Sequence, residues 1–242
     1  MGMVDKRLVF TITSGRSGTM LLSKLLNICP NVNAKHEPEP TFSDAYYYKR
    51  DFKEFLLEEK LPKMLKSEEK IYIETSHIFC KWFLKPAVKL KIPFDLIYLK
   101  RDDRKTALSF YQLNDIPDRT ETGKNWLLKS KDTPKEWSDY QMCYWYVLEM
   151  KKIANNILKK YGSKKKIITI SLKQLLVWNS FKNFLNQLNV EIPNKKEYEK
   201  IIKKKWNIKE KRKEEKQPCD INKEEYGVNI WFNNKNALEY NK

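Results

Sequence analysis

Short, β-branched apolar runs alternate with amphipathic stretches along most of this chain, and that alternation limits its fold more than any other feature. The runs are Leu8–Thr13, Val32–Lys35, Ile71–Glu74, Leu96–Leu99 and Ile167–Ser171. Between them, Met20–Asn27, Phe52–Lys60, Phe79–Leu90, Lys105–Leu113 and Glu136–Tyr161 carry apolar residues at helical spacing. Strands and helices in alternation predict a parallel sheet covered on both faces. Runs such as Ile167-Ile168-Thr169-Ile170 suit strands buried on both sides. Beyond Trp178, the pattern Phe181-x-x-Phe184-Leu185-x-x-Leu188 predicts a further helix. No repeat and no Pro/Gly/Ser-rich linker interrupts the chain, so one domain over residues 1–242 is expected. Lys203-Lys204-Lys205 and the stretch from Lys209 to Lys216 concentrate charge, so 203–242 is expected to be a basic, mobile C-terminal segment.

Such a sheet needs a core, and the composition supplies one: 41% of the 242 residues are hydrophobic, with 11 Phe, 13 Tyr and 7 Trp. A mostly disordered chain and a collagen-like repeat are excluded. Cys29, Cys80, Cys143 and Cys219 form no C-x-x-C pair, and the histidines are His36 and His77. Neither a disulfide framework nor a zinc site is expected. No run approaches the roughly 18 apolar residues of a membrane span. No charged and apolar leader precedes the first run, and Lys6 stands where a myristoylation signal carries Ser or Thr. A cytoplasmic protein is therefore expected. Charge is the loudest compositional feature: 48 Lys+Arg against 31 Asp+Glu give +17, with 23 basic and 10 acidic residues in 151–242. An excess of this kind points to nucleic acid, a phosphate-rich cofactor or an anionic surface.

Two segments carry chemistry. Thr13-Ser14-Gly15-Arg16-Ser17-Gly18-Thr19 follows the first strand and opens the first helix. A tight Gly-containing turn feeding a helix N-terminus directs backbone N–H groups and the positive helix end at one point, which suits an anion. The hydroxyls of Ser14, Ser17 and Thr19 and the Arg16 guanidinium enrich that point. The Walker pattern is absent, because no Lys follows Gly18. An ordinary βα turn would use the same residues for geometry and capping. The second segment is the strand Leu96–Leu99, which runs into Lys100-Arg101 and then a helix carrying Ser109, with Asp103 placed to cap it. In a nucleotidase of the P-loop type this strand would often end in Asp to hold magnesium. Here a cation stands in that place, although Arg101 alone could equally pair with Asp102 or Asp103.

Together the two segments resemble the 3′-phosphoadenosine 5′-phosphosulfate (PAPS)-dependent sulfotransferases. The loop Arg is closer to the tyrosylprotein and bacterial branch than to the cytosolic phenol enzymes, which carry Lys there. The resemblance covers roughly residues 7–178. It implies an α/β fold, a parallel β-sheet flanked by helices, of the P-loop-containing nucleoside triphosphate hydrolase type. It also implies PAPS as donor, adenosine 3′,5′-bisphosphate as product and no metal. Ser14, Gly15, Arg16, Ser17, Gly18 and Thr19 would hold the 5′-phosphosulfate, and Arg101 with Ser109, eight residues on, the 3′-phosphate. Arg16 would also neutralise charge on the leaving phosphate. Glu37, in Ala34-Lys35-His36-Glu37-Pro38-Glu39-Pro40, falls where that branch carries its general base. Pro38 is expected to keep Glu37 extended at a strand's C-terminal edge; His36 and His77 are the competing bases. The acceptor would be a small-molecule or other hydroxyl or amine, with 38–70 and 112–135 at its entrance. No specific nucleic-acid partner and no membrane span are implied.

Two departures accompany the resemblance. Thr75, Ser76 and His77 stand where the branch often has Lys or Arg, and the cytosolic enzymes' C-terminal R-K-G motif has only a weak echo in Gly227 and Trp231-Phe232. Lys209, Lys211, Arg212 and Lys213 are read as a solvated basic helix or a lid. The stripe Trp137, Tyr140, Tyr144, Trp145 and Leu148 reads as core. The rival readings are a P-loop-type kinase or NTPase, disfavoured by the missing Walker lysine, and a basic nucleic-acid-binding protein. Aromatics at core spacing, not interleaved on a basic face, count against the latter.

Overall fold

The computed structural model describes residues 6–204 and 217–240; Lys209, Lys211, Arg212 and Lys213 lie outside the described residues. The five apolar runs form five strands: β1 Arg7–Ile12, β2 Val32–Lys35, β3 Ile71–Glu74, β4 Asp95–Lys100 and β5 Ile167–Ser171. They make one sheet in the order β2-β3-β1-β4-β5, and every neighbouring pair is parallel. All five C-terminal ends therefore point the same way. The chain builds out from β1 to β2 and β3 on one side and only then crosses to β4 on the other. A crevice opens at such a switch point, outside the carboxyl ends of the strands.

The chain divides into two compact units, Met1–Arg101 with Ile153–Ile208, and Asp102–Lys152 with Lys209–Lys242. The first holds the whole sheet. Alternate residues of β1 leave by opposite faces. On one face Val9 joins Ile73, Ile97 and Ile168 against Leu21, Leu22, Leu25 and Leu26 of the helix Thr19–Leu26. Phe181, Phe184, Leu185 and Leu188 of the helix Trp178–Leu188 pack on the same cluster, at the i, i+3, i+4, i+7 spacing that gives one apolar stripe. Phe10 belongs to an aromatic group: its ring stacks on Phe79 at 3.9 Å and meets Phe94 and Phe42 edge-on. Burial of about twenty aliphatic and aromatic side chains in the first cluster, at about 1.5–3 kcal/mol each, is what holds this sheet.

Two of the expected helices are not uniform. Phe52–Lys60 begins as the α-helical turn Phe52–Glu54 and continues as the π-helical stretch Phe55–Lys60, before the α-helix Leu61–Leu65. Phe79–Leu90 likewise begins with the π-helical turn Phe79–Phe83, followed by the α-helix Leu84–Lys89. A π-turn inserts one extra residue per turn and re-aims the side chains on it, and such turns are frequent at functional sites.

In the second unit the helix Asp103–Gln112 carries Ser109, half-buried. Its cap is Asp102, whose carboxylate accepts from the Lys105 N–H at 2.9 Å, one residue before the expected Asp103. Asp103 is the first helical residue and pairs instead with Lys151 at 2.6 Å. Arg104 grips the Glu225 carboxylate at 2.7–3.1 Å, and Tyr140 donates to the same carboxylate at 2.5 Å. Glu225 stands on the helix Ile221–Tyr240, within the stretch expected to be mobile. Trp137, Tyr140, Tyr144 and Trp145 are buried, as the helical spacing predicts.

Candidate active site

The first unit brings most of the expected site residues to the C-terminal edge of its sheet. β1 ends at Ile12 and releases the loop 13–18; β2 releases His36 and Glu37; β3 releases Thr75, Ser76 and His77; β4 releases Arg101. Ser109 belongs to the second unit.

The loop after β1 turns through three left-handed residues, Gly15 (φ +85°), Arg16 (φ +54°) and Gly18 (φ +95°). For Arg16 that conformation costs about 1–2 kcal/mol, so the surroundings must enforce it. They do: the Arg101 guanidinium donates to the Arg16 carbonyl at 2.5 Å. Ser14 and Ser17 both donate to the Gly15 carbonyl, at 2.9 and 3.0 Å. Gly18 is the N-cap of the helix Thr19–Leu26 and, having no side chain, makes no side-chain cap. The first N–H groups of that helix are thus left for another acceptor. A Cβ at position 18 would stand 2.6 Å from a terminal methyl of Leu172, a side chain that can turn aside, so it is the left-handed φ that favours glycine here.

The turn after β3 is stitched to both neighbours. Thr75 donates from its hydroxyl to the Thr19 carbonyl at 3.1 Å and from its N–H to the Lys35 carbonyl at 2.9 Å. Thr11 donates to the Ser76 carbonyl at 3.0 Å. His36 donates from Nδ1 to the Thr75 carbonyl at 2.8 Å, which commits that ring nitrogen to a structural contact. Glu37 and His77 face each other: Glu37 Oε1 accepts from His77 Nδ1 at 3.3 Å and from Ser76 Oγ at 3.4 Å. Both remain reachable, with side-chain exposures of 30% for Glu37 and 17% for His77. The expectation of an extended Glu37 is corrected, since its φ is +46°. Proline at 38 does bar the right-handed helical region, but the residue escapes to the left-handed one.

Electrostatics separate the candidates for a base. Burial pushes the His77 imidazole well below the usual range, and the charges of Lys81, His36 and Arg16 push it further the same way. At neutral pH His77 is uncharged, so it can donate one hydrogen bond to Glu37 without neutralising it. Lys81, on the π-helical turn Phe79–Phe83, is a candidate missed by reading the sequence; it is half-buried, and its ammonium stands over the Trp82 ring at 4.6 Å. Burial lowers its ammonium to about 7, opposed by Cys80 and Glu37. Burial also raises the neighbouring Cys80 thiol, which lies 3.6 Å from the Thr13 carbonyl. Lys81 stands four residues beyond His77, outside the Thr75–His77 segment in which the family resemblance places a cation.

Beneath this turn, Lys60 and Glu74 form a fully buried ion pair, Nζ to Oε1 at 2.9 Å. Burial raises the Glu74 carboxyl to about 7; the Lys60 charge pulls it down and the Glu37 charge pushes it up. Among the described residues no cluster of His, Cys, Asp and Glu could hold a metal ion, and no helix is long and apolar enough to cross a membrane. A profile of the sulfotransferase domain matches residues 6–161. No curated protein matches the chain.

Proposed function

The chain belongs to the sulfotransferase family, a family of transferase enzymes, and on that premise we propose that it moves a sulfuryl group from PAPS to an acceptor hydroxyl or amine, with Glu37 as general base. The observation that carries this reading is the loop 13–18: three left-handed residues and an uncapped helix N-terminus, with Arg16 inside the loop and no Walker Lys after Gly18. Such a loop cradles phosphate oxygens with N–H groups and a fixed guanidinium. The 5′-phosphosulfate lies there. Arg101, which holds the Arg16 carbonyl, faces the 3′-phosphate from the end of β4; Ser109 is assigned to that phosphate by the motif spacing alone.

In the reaction the acceptor oxygen or nitrogen attacks sulfur, the bond from sulfur to the 5′-phosphate oxygen breaks, and adenosine 3′,5′-bisphosphate leaves. Glu37 takes the acceptor's proton. Neutral His77 and Ser76 orient the carboxylate through their hydrogen bonds. Arg16, the loop amides and Lys81 meet the charge that develops on the leaving oxygen, the kind of stabilisation that usually contributes most. Lys81 thereby takes the role for which Thr75, Ser76 and His77 offer no cation. A transferring sulfuryl group carries less negative charge than a phosphoryl group, so turnover needs no divalent ion.

Two measurements test the reading. Calorimetry is expected to give binding of adenosine 3′,5′-bisphosphate and weaker binding of ATP. Radiolabelled PAPS with heat-treated cell extract is expected to pass label to an acceptor in the presence of EDTA. Tighter binding of ATP, or activity lost in EDTA and restored by magnesium, would put a kinase-type reaction ahead.

A further inference from the structure

We propose that Lys60 is the positioning residue for the Glu37 carboxylate, because its buried ammonium ties the turn that carries Glu37 to the end of the neighbouring strand. The inference rests on the reading of Glu37 as the base. The Lys60 ammonium donates to the Pro38 carbonyl at 3.0 Å and to the Pro40 carbonyl at 2.7 Å, and it forms an ion pair with Glu74 Oε1 at 2.9 Å, an oxygen that has no hydrogen-bond partner of its own among the described residues. The Phe42 ring covers it at 4.6 Å, and the residue is 1% exposed.

The turn needs such a tie. Pro38 and Pro40 have no N–H, so the segment has lost two of the donors with which a loop normally fixes itself. Glu37 itself sits at φ +46°, a conformation that persists only when its surroundings over-determine it. Glu74 is the last residue of β3 and pairs in register with Lys35, the last residue of β2. Through Lys60 the end of β3 therefore holds the turn leaving β2. The residues next to Glu74 in sequence are Thr75, Ser76 and His77, so the same tie sets Glu37 against its two hydrogen-bond donors. A buried ion pair is a poor source of stability, since apolar residues of the same volume often do as well or better. A geometric task accounts for its presence where stability does not.

The test replaces the pair together. Lys60→Met/Glu74→Leu leaves no buried charge unpaired, so it is the variant most apt to fold. Single-turnover transfer from saturating radiolabelled PAPS to heat-treated cell extract is expected to slow at least tenfold. Affinity for adenosine 3′,5′-bisphosphate is expected to stay within threefold, and amide exchange to quicken in the peptide 35–42 while the rest of the sheet stays protected. In a Glu37→Gln background the same replacement is expected to cost less than threefold, because its effect passes through Glu37. Lys60→Gln/Glu74→Gln keeps two N–H donors for the two proline carbonyls and lets the amide at 74 donate to the amide oxygen at 60, so the tie to β3 survives without charge, and it is expected to recover a rate within threefold of wild type; rate loss in this variant equal to that of the Met variant would overturn the proposal. So would a folded Met variant with wild-type rate, unchanged exchange at 35–42, or equal losses in both backgrounds. A Glu37→Gln variant within threefold of wild type on its own would remove the base, and is read separately from the tether.

Discussion

At the scale of single residues, the site depends on side chains whose setting changes their chemistry. Glu37→Gln keeps size and most hydrogen bonding but cannot take a proton, so turnover is expected to fall about 10²–10⁴-fold, with bisphosphate affinity nearly intact. His36→Asn and His77→Asn are the controls, and a dead His77→Asn beside an active Glu37→Gln would hand the role to His77. Arg101→Ala removes the guanidinium that holds the Arg16 carbonyl. It is expected to weaken bisphosphate binding by about 10–150-fold, the worth of a charge-assisted contact of about 1.5–3 kcal/mol; calorimetry showing unchanged affinity would remove this contact from the donor site. Lys81 gives a pH signature. Its ammonium, lowered to about 7, is charged below that pH and loses its proton above it. An anionic ligand favours the charged form, so affinity is expected to fall as pH rises from 7 to 9, with a slope that Lys81→Met flattens. None of this was legible for Lys81 in the sequence, because a lysine in a helical stretch reads as a solvated one.

At the scale of elements, the loop after β1 and the two π-helical turns set where those residues point. The loop was legible: Gly, hydroxyl residues and Arg between an apolar run and a helix specify a strand–turn–helix junction whatever surrounds it. Gly18→Ala is expected to destabilise the protein by about 1–2 kcal/mol, chiefly from the left-handed φ, with the Leu172 side chain turning aside to admit the methyl. Because the loop would have to shift, bisphosphate affinity should drop as well. Urea unfolding and calorimetry on the same sample check both, and a variant that binds normally would mean that the loop geometry is not what holds the phosphate. The π-turns were not legible. Phe55–Lys60 and Phe79–Phe83 show ordinary amphipathic spacing in the sequence, yet each contains one of the two lysines that approach the Glu37 turn. Glu37's own backbone is not encoded locally either: Pro38 excludes one region of conformation, and the choice between the remaining two is made by contacts distant in sequence.

For the whole molecule, the buried Glu74 couples the site to folding. Its carboxyl titrates near 7 in the folded chain and near 4.5 unfolded, so the folded state holds the extra proton between those values. Stability is therefore expected to decline as pH rises through that window, by up to about 3 kcal/mol. Glu74→Gln should flatten the decline, as denaturation at a series of pH values would show; an unchanged slope would mean that another group sets it. The sequence by itself determined the five strands, their parallel pairing and the loop that feeds the first helix. These follow from apolar periodicity and glycine chemistry acting over a few residues. Tertiary structure alone decided that Lys60 turns inward, that Glu37 adopts a left-handed φ and that Glu74 is buried against Lys60. The hydrogen bonds that hold Lys60 and Glu37 join residues 22 and 40 positions apart, and no local pattern encodes them.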